Sequence, residues 1–405
     1  MGAFGVYIHF PYCTQRCPYC DFAIAVRRTI HHQRYLHAIT AELAAKQPLF
    51  AGRRAVSVYF GGGTPSLWQP DCVAAALQAV LRAFPPPAGL APEVTLECDP
   101  ATLEPDTVAA LRAAGVNRLS IGAQSFSRRH LQVLGRRHTP EQIPLAVQAA
   151  RQAGINNLSL DLMIGLLRQR RRELDADLHH LVALAPEHVS LYQLTVEPRT
   201  PLGAWVRRGE IQAPDPDKQA DAYDHVREFL SGAGYVQYEV SNFARRDSTD
   251  LRSRHNSLYW TGGEYLGLGV GAHSFRRLTA SGTGERFANQ RGLDPYLSLW
   301  APGADKNPPA ARPDFELREG APGLSLYEQR SQDALAREAV WLGLRRIDGI
   351  SCSSFAAEYG VDPRQAYGAA LRAMSERGWL ELAGDTLRLT QAGVLFSDEV
   401  GAAFL

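Results

Sequence analysis

Cysteine is scarce in this chain: there are six in 405 residues, and three of them crowd into residues 13–20. A secreted disulfide framework would spread paired cysteines along the sequence, so this usage excludes one and fits a reducing compartment. Long apolar runs are missing as well. No stretch reaches the roughly 18 residues that a membrane-spanning helix requires. The first residues lack a basic region followed by an extended apolar one, so a cleaved export signal is not expected. Net charge is only +1, and without a basic field no nucleic acid is expected as a partner. What remains is the profile of a cytoplasmic protein, for which any membrane association would be peripheral.

Apolar residues make up 45% of the chain, enough for one large domain plus a smaller one. Short runs rich in β-branched and apolar residues recur: GVYIHF (5–10), AVSVYF (55–60), EVTLEC (93–98), NRLSIGAQS (117–125), NNLSLDLMIG (156–165) and HVSLYQLTV (188–196). Helix-period segments separate or follow them at 33–48, 72–84, 104–114, 140–153, 172–185 and 216–232. Asp71, Thr139 and either Asp215 or Asp217 are cap candidates for three of these. Strands alternating with helices of this length imply right-handed crossovers and a parallel sheet. Six repeats are too few for a closed eight-fold barrel. The expected fold is therefore α/β, a partial (β/α)6 TIM-like barrel, and a flat doubly wound sheet is the other arrangement the pattern allows.

Proline, glycine and charge dominate 301–324, which reads as a linker or surface excursion. Beyond it come helical segments at 328–346, 351–359 and 363–377, a short hairpin, and a closing helix at 391–400. That is the order of a small winged-helix unit. The chain thus divides into a core barrel at 1–240, an extension at 241–300, the linker at 301–324 and a C-terminal winged-helix-like domain at 325–405. Arg364, Arg372 and Arg377 supply little basic charge there, too little for a DNA-reading surface.

In a parallel barrel the loops after the strand C-termini share one face, and chemistry collects there. The first strand runs into IHFPYCTQRCPYCDF (8–22), with Cys13, Cys17 and Cys20 in Cys-x3-Cys-x2-Cys spacing and Pro11 and Pro18 stiffening the turn. Structural zinc wants four protein ligands. A fourth could be His9, but it lies on the strand before the loop, and no later Cys-x2-Cys pair exists. Three thiolates suit a [4Fe–4S] cluster with one iron open to an exogenous ligand. The second strand runs into GGGTPS (61–66), which is not a Walker A loop. Its glycines would let backbone N–H and C=O groups approach a small molecule. Glu97 ends the third strand, Gln124 ends the fourth, Arg136 follows it, and Asp161 lies on the fifth. Glu97 would serve a cationic amino group, Asp161 or Gln124 a ribose diol, and Arg136 a carboxylate. Each is also an ordinary cap or turn residue. Gathered at one end of a sheet, they would bind a molecule with an amino-acid head and a ribose.

YIHFPYCTQRCPYC, FGGGTPS, GAQSF and LDLMIGL, in that order, resemble the radical S-adenosylmethionine superfamily. More narrowly, they resemble its branch of oxygen-independent coproporphyrinogen oxidases and HemW-type haem chaperones. The similarity runs from about residue 5 to 275 and resumes in the last 75 residues. It implies that Cys13, Cys17 and Cys20 ligate three irons of a [4Fe–4S] cluster and that S-adenosylmethionine chelates the fourth. Tyr7, Tyr19, Gly62, Gly63, Thr64, Glu97, Gln124, Arg136 and Asp161 correspond to cofactor-binding positions. In this superfamily an electron from the reduced cluster cleaves the sulfonium to a 5′-deoxyadenosyl radical, and the protein holds and orients the cofactor. An electron donor such as flavodoxin or ferredoxin is implied.

Within the branch, Phe22 stands where the decarboxylating oxidases carry a further cysteine. Cys13 lies so near the start that their long N-terminal extension is not expected here. HNSLYW (255–260), followed by GLGVGAHSF (267–275), fits the HNxxYW signature of the HemW group. The resemblance therefore implies a haem chaperone that passes haem to a membrane respiratory acceptor. His255, Asn256, Tyr259 and Trp260 are its candidate haem residues, with His273 a second candidate imidazole. Neutral histidine is a good haem ligand, but a histidine among aromatics also reads as a hydrogen-bonded core residue. Two other functions fit the residues: an anaerobic coproporphyrinogen III oxidase acting through the same radical, and a zinc-stabilised interaction protein. One segment departs from the family pattern. GLLRQRRREL (165–174) replaces the usual Gly-Leu-Pro-Gly-Gln, which would change the turn after the fifth strand.

Overall fold

The computed structural model describes residues 3–278, 280–302 and 315–405, so the middle of the expected linker, 303–314, lies outside the described residues. Six strands follow the expected runs: β1 (Ala3–Phe10), β2 (Arg54–Gly62), β3 (Glu93–Cys98), β4 (Arg118–Gln124), β5 (Leu158–Ile164) and β6 (His188–Gln193). They pair in parallel and in chain order. A doubly wound sheet reverses its strand order at a switch point. Here every strand adds to the same edge, so right-handed crossovers carry the helices to one face and leave the other free. The helices are His32–Lys46, Pro70–Ala83, Pro105–Ala113, Gln142–Gln152, Arg171–Ala183 and Pro216–Gly232. Asp215 caps the last, accepting from the amides of Asp217 and Lys218. Asp71 is not a cap: Pro70 opens its helix, and Asp71 sits inside the first turn.

Side-chain alternation sets the character of the two faces. Val6, Ile8, Val58, Phe60, Leu119, Ile121, Leu160 and Leu162 are fully buried in one continuous core with the helices. Between them stand Tyr7, Ser57, Tyr59, Thr95, Glu97, Ser120, Ser159 and Asp161. A parallel sheet covered by apolar layers on both faces would read as unbroken hydrophobic runs. The polar alternation belongs to the face that carries the site.

The sheet extends beyond the six strands at both ends. Strands β7 (Tyr235–Glu239) and β8 (Asn242–Arg245) form an antiparallel hairpin against β6. On the other side of β1 lies β9 (Glu264–Leu268), a seventh parallel strand, followed by antiparallel β10 (His273–Leu278), β11 (Thr283–Asn289) and β12 (Leu324–Arg330). The twelve strands run β12-β11-β10-β9-β1-β2-β3-β4-β5-β6-β8-β7, and among the described residues no pairing closes the ends into a barrel. The helix expected from 328 starts at Gln332, because Leu324–Arg330 pairs with β11 as the edge strand. TGERFAN and the edge strand LSLYEQR carry charge at intervals that hide the apolar period.

The C-terminal unit holds helices Gln332–Leu344, Cys352–Tyr359, Pro363–Ala366 and Gly368–Glu376. Strands β13 (Ile350–Ser351), β14 (Leu380–Ala383) and β15 (Thr386–Leu389) form its small sheet, in the order β13-β15-β14. Among the described residues no helix is long and apolar enough to cross a membrane.

Candidate functional site

The polar face of the sheet and the loops beyond its strand ends enclose a cavity of about 1150 Å³. Cys13, Cys17 and Cys20 all line it, and none is in a disulfide. A bond from the Cys20 amide to the Cys17 carbonyl (3.1 Å) and a short pairing of Tyr12–Cys13 with Ala25–Val26 shape their loop.

The glycines of GGGTPS seat that loop. A Cβ on Gly63 would fall 2.7 Å from the carbonyl oxygens of Pro11 and Tyr12. At Gly62, where φ is +115°, a Cβ would lie 2.6 Å from the His9 ring. Only glycine tolerates both the backbone angle and the approach. The amides of Gly63 and Thr64 then donate to the carbonyls of Phe10 and Tyr12 at 2.8 and 2.9 Å. Thr64 Oγ1 lies 3.6 Å from Cys13 Sγ. Burial pushes the Cys13 thiol up to about 11, and the Thr64 hydroxyl opposes that shift.

Two partly buried carboxyls line the cavity. Glu97 accepts from Tyr59 Oη at 2.9 Å and from the Gly62 amide at 3.0 Å. Burial raises its pKa to about 7. Asp161 accepts from Ser120 Oγ at 3.0 Å and Ser159 Oγ at 3.3 Å, and burial raises it to about 6. Gln124 holds φ at +62°, a left-handed conformation uncommon outside glycine. Its side-chain amide lies over Gly122, where a Cβ would meet Gln124 Nε2 at 2.9 Å and Arg136 at 3.0 Å. Arg136 donates to Asp99 Oδ2 at 2.9 Å and to the Gly122 carbonyl at 3.1 Å. Asp99 was missed in the sequence, although a second acid two residues beyond Glu97 was the available signal. Tyr7 hydrogen-bonds His9 Nδ1 at 3.0 Å, and Tyr19 lies beside Arg136. All nine expected cofactor residues line the cavity with the three thiols.

The donor set fits a cluster better than a single ion. Among the described residues no three His, Cys, Asp or Glu side chains converge as ligands of one metal ion. A polynuclear cluster takes its thiolates at separate irons and does not need them to converge. The partly buried carboxyls and the hydroxyls around them suit the amino group and ribose of a bound nucleoside.

The HNxxYW segment folds as the helix Arg254–Trp260. His255 is 2% exposed and does not line the cavity. Its ring nitrogens bond Ser57 Oγ and Tyr259 Oη, both at 2.9 Å. The ring stacks on Tyr59 at 5.0 Å, and burial lowers its pKa to about 3, so it is neutral. Trp260 lies under the Arg345 guanidinium at 4.7 Å, toward the C-terminal helices. Of His255, Asn256, Tyr259 and Trp260, only Tyr259 reaches the cavity wall. Tyr192, Tyr265, His273, Asn289 and Arg291 also line it. All but Tyr192 come from elements not recognised in the sequence.

In the turn after β5, Arg168 adopts a left-handed conformation, φ +56°, that favours glycine. The Gln169 amide closes the turn on the Leu166 carbonyl at 3.0 Å. Arg170 and Arg171 pair with Glu173 and Asp175 at 3.2 and 3.4 Å on the surface.

Comparison with known proteins agrees with this geometry. Residues 7–181 match the model of the radical SAM superfamily, and residues 331–396 match that of the HemN C-terminal domain. The chain is 30% identical to the heme chaperone HemW of Bacillus subtilis over 98% of both chains. It is 43% identical to the mouse mitochondrial radical S-adenosyl methionine domain-containing protein 1 over 69% of this chain, a match that spans 62% of the mouse protein. The structure of coproporphyrinogen III oxidase from Escherichia coli superposes with a TM-score of 0.78, at 22% identity, covering 100% of this chain and 90% of that one. At that identity the likeness establishes the fold.

Proposed function

We propose, from the premise that this chain belongs to the HemW family of radical SAM proteins, that it is a haem chaperone which binds haem beside a [4Fe–4S] cluster and hands it to a membrane respiratory haem protein. The observation that carries this reading is the size and mixed lining of the cavity. Ligand pockets run to roughly 1,000 Å³ for a drug-sized molecule, and this one, at about 1150 Å³, exceeds that. The thiol loop, Thr64, Glu97, Gln124, Arg136 and Asp161 line it together with Tyr192, Tyr259, Tyr265, His273 and Arg291. Two ligands of different chemistry fit such a lining.

Cys13, Cys17 and Cys20 would hold the cluster. Glu97 would accept from the cofactor amino group, and Asp161 and Gln124 would take its ribose hydroxyls. When bound, cluster and S-adenosylmethionine together supply one-electron chemistry at the sulfonium. The chain's own residues do the positioning. Glycine contacts seat the cysteine loop, serines orient Asp161, and Asp99 fixes the Arg136 guanidinium. Flavodoxin or ferredoxin would serve as electron donor, and contact with a membrane acceptor would be peripheral.

Anaerobic incubation of the reconstituted chain with haem, S-adenosylmethionine and a strong reductant tests the proposal. Retained haem with little 5′-deoxyadenosine is the expected result. Conversion of coproporphyrinogen III to protoporphyrinogen IX in a parallel incubation with that substrate, or a chain that takes up no haem, would overturn it.

A further inference from the structure

His273 opens β10 and is exposed where it lines the cavity. Among the described residues no group hydrogen-bonds its ring; its nearest charged neighbours are Arg286, Arg291 and Glu328. The other cavity histidine is fully tied: His9 bonds Tyr7 Oη at 3.0 Å and the Ala23 carbonyl at 2.9 Å. His255 is tied in the same way, by Ser57 and Tyr259, and lies outside the cavity lining. A metal-binding imidazole must offer a ring lone pair to solvent-side space. His273 alone of the three has one to offer without breaking a bond inside the protein.

Its surroundings suit a flat dianionic ligand. His273 pairs with Ala288 across the β10–β11 ladder, and the Gly271 amide bonds the Gln290 carbonyl at 2.9 Å. That register brings Arg291, the next residue, beside Gly271, two residues before His273. Arg291 donates to the carbonyl of Asp21, the residue after Cys20. A Cβ on Gly271 would lie 2.9 Å from Ala23 and 3.5 Å from Arg291 Cγ, so this wall packs directly on the end of the cysteine loop. Phe22, 64% exposed, and Tyr265 also line the cavity. A nitrogen ligand, a guanidinium and apolar ring faces are what iron, a propionate and a porphyrin plane require.

We propose that His273, rather than His255, presents the imidazole that takes up the haem iron, with Arg291 facing a haem propionate. The assignment rests on the haem-binding function proposed above. It makes the HNxxYW helix a support: His255 holds Tyr259 in the cavity wall and does not touch the iron.

Ferric haem titrated into the reconstituted full chain tests it, with the Soret band as readout. His273→Ala should lose the Soret shift of the unaltered chain and weaken haem binding at least tenfold. Free imidazole should restore the band. His255→Ala should keep the band position if its melting temperature and iron content stay within reach of the unaltered chain. Should it unfold, His255→Gln, which keeps a hydrogen-bonding side chain, takes its place. Arg291→Gln should weaken binding several-fold with the band unmoved. A His273→Ala chain that titrates like the unaltered one, or a loss confined to the His255 variants, overturns the assignment while leaving the chaperone reading standing. An unaltered chain with no Soret shift at all removes both.

Discussion

Tyr59 donates its hydroxyl to Oε1 of Glu97 across 2.9 Å. The Gly62 amide takes the other oxygen at 3.0 Å, so the carboxylate is aimed from two sides, yet burial keeps its pKa near 7. An acid raised in this way carries its charge only above that pH, and a cationic ligand binds the charged form. S-adenosylmethionine affinity should therefore rise with pH, by up to about tenfold per unit below neutrality, and level off above it. Glu97→Gln should flatten the profile. Calorimetry across that range checks this, and an unchanged pH profile in the variant would take Glu97 out of the amino-group site.

Gly63→Ala places a methyl group 2.7 Å from two carbonyl oxygens of the cysteine loop. Backbone cannot yield as a flexible side chain does, so the loop must shift and the thiols with it. Iron and acid-labile sulfide after anaerobic reconstitution should drop well below the level of the unaltered chain. Gly232→Ala, where a Cβ meets nothing within 4 Å, is the control and should load normally.

Arg168 pays for a conformation that glycine adopts freely, with φ at +56°. Arg168→Gly should raise stability by up to about 1 kcal/mol, the left-handed penalty less the entropy glycine adds to the unfolded chain. Urea denaturation reads the midpoint. A destabilised variant would mean that the arginine side chain makes up for its own backbone strain.

Lys46 is fully buried, its Nζ 2.6 Å from Glu42 Oε1 and 2.7 Å from Asn289 Oδ1. Glu42 also accepts from Tyr296 Oη at 2.6 Å and from the Gly269 amide at 2.8 Å, ahead of the turn that leads to His273. Lys46→Met leaves a buried carboxylate short of its cation, which should cost about 3–5 kcal/mol. Removing both charges, with Glu42→Leu added, should cost less than the sum of the two single changes. A double-mutant cycle in urea measures the coupling, and strict additivity would show that the pair does not act as a unit.

The cysteine spacing, the glycine run and the polar residues at alternate strand positions were legible because each depends on near neighbours in the chain. Strand and helix periods repeat every two or 3.6 residues, and ligands of one cluster can sit in one loop. Those signals were enough for the parallel sheet and for residues that the structure gathers around one cavity. What they could not carry was partnership over distance. Arg136 reads as a free cation until Asp99 is found 2.9 Å away. GGGTPS reads as a ligand loop until its missing side chains are seen to make room for Pro11 and Tyr12.

The two histidines mark the same boundary. In the sequence His255 stands in a signature and His273 in a run of glycines, and nothing local separates a ligand from a core residue. Folding places the helix Arg254–Trp260 against β1 and β2, where Ser57 and Tyr259 claim both nitrogens of His255. The antiparallel strands β10 and β11, whose arginines and glutamates obscure the apolar period, carry His273 to the cavity with its ring unclaimed. Residue type determined which side chains were able to bind a metal or a cation. Burial and hydrogen-bond partners, which exist only once distant segments pack, decided which of them are free to do so.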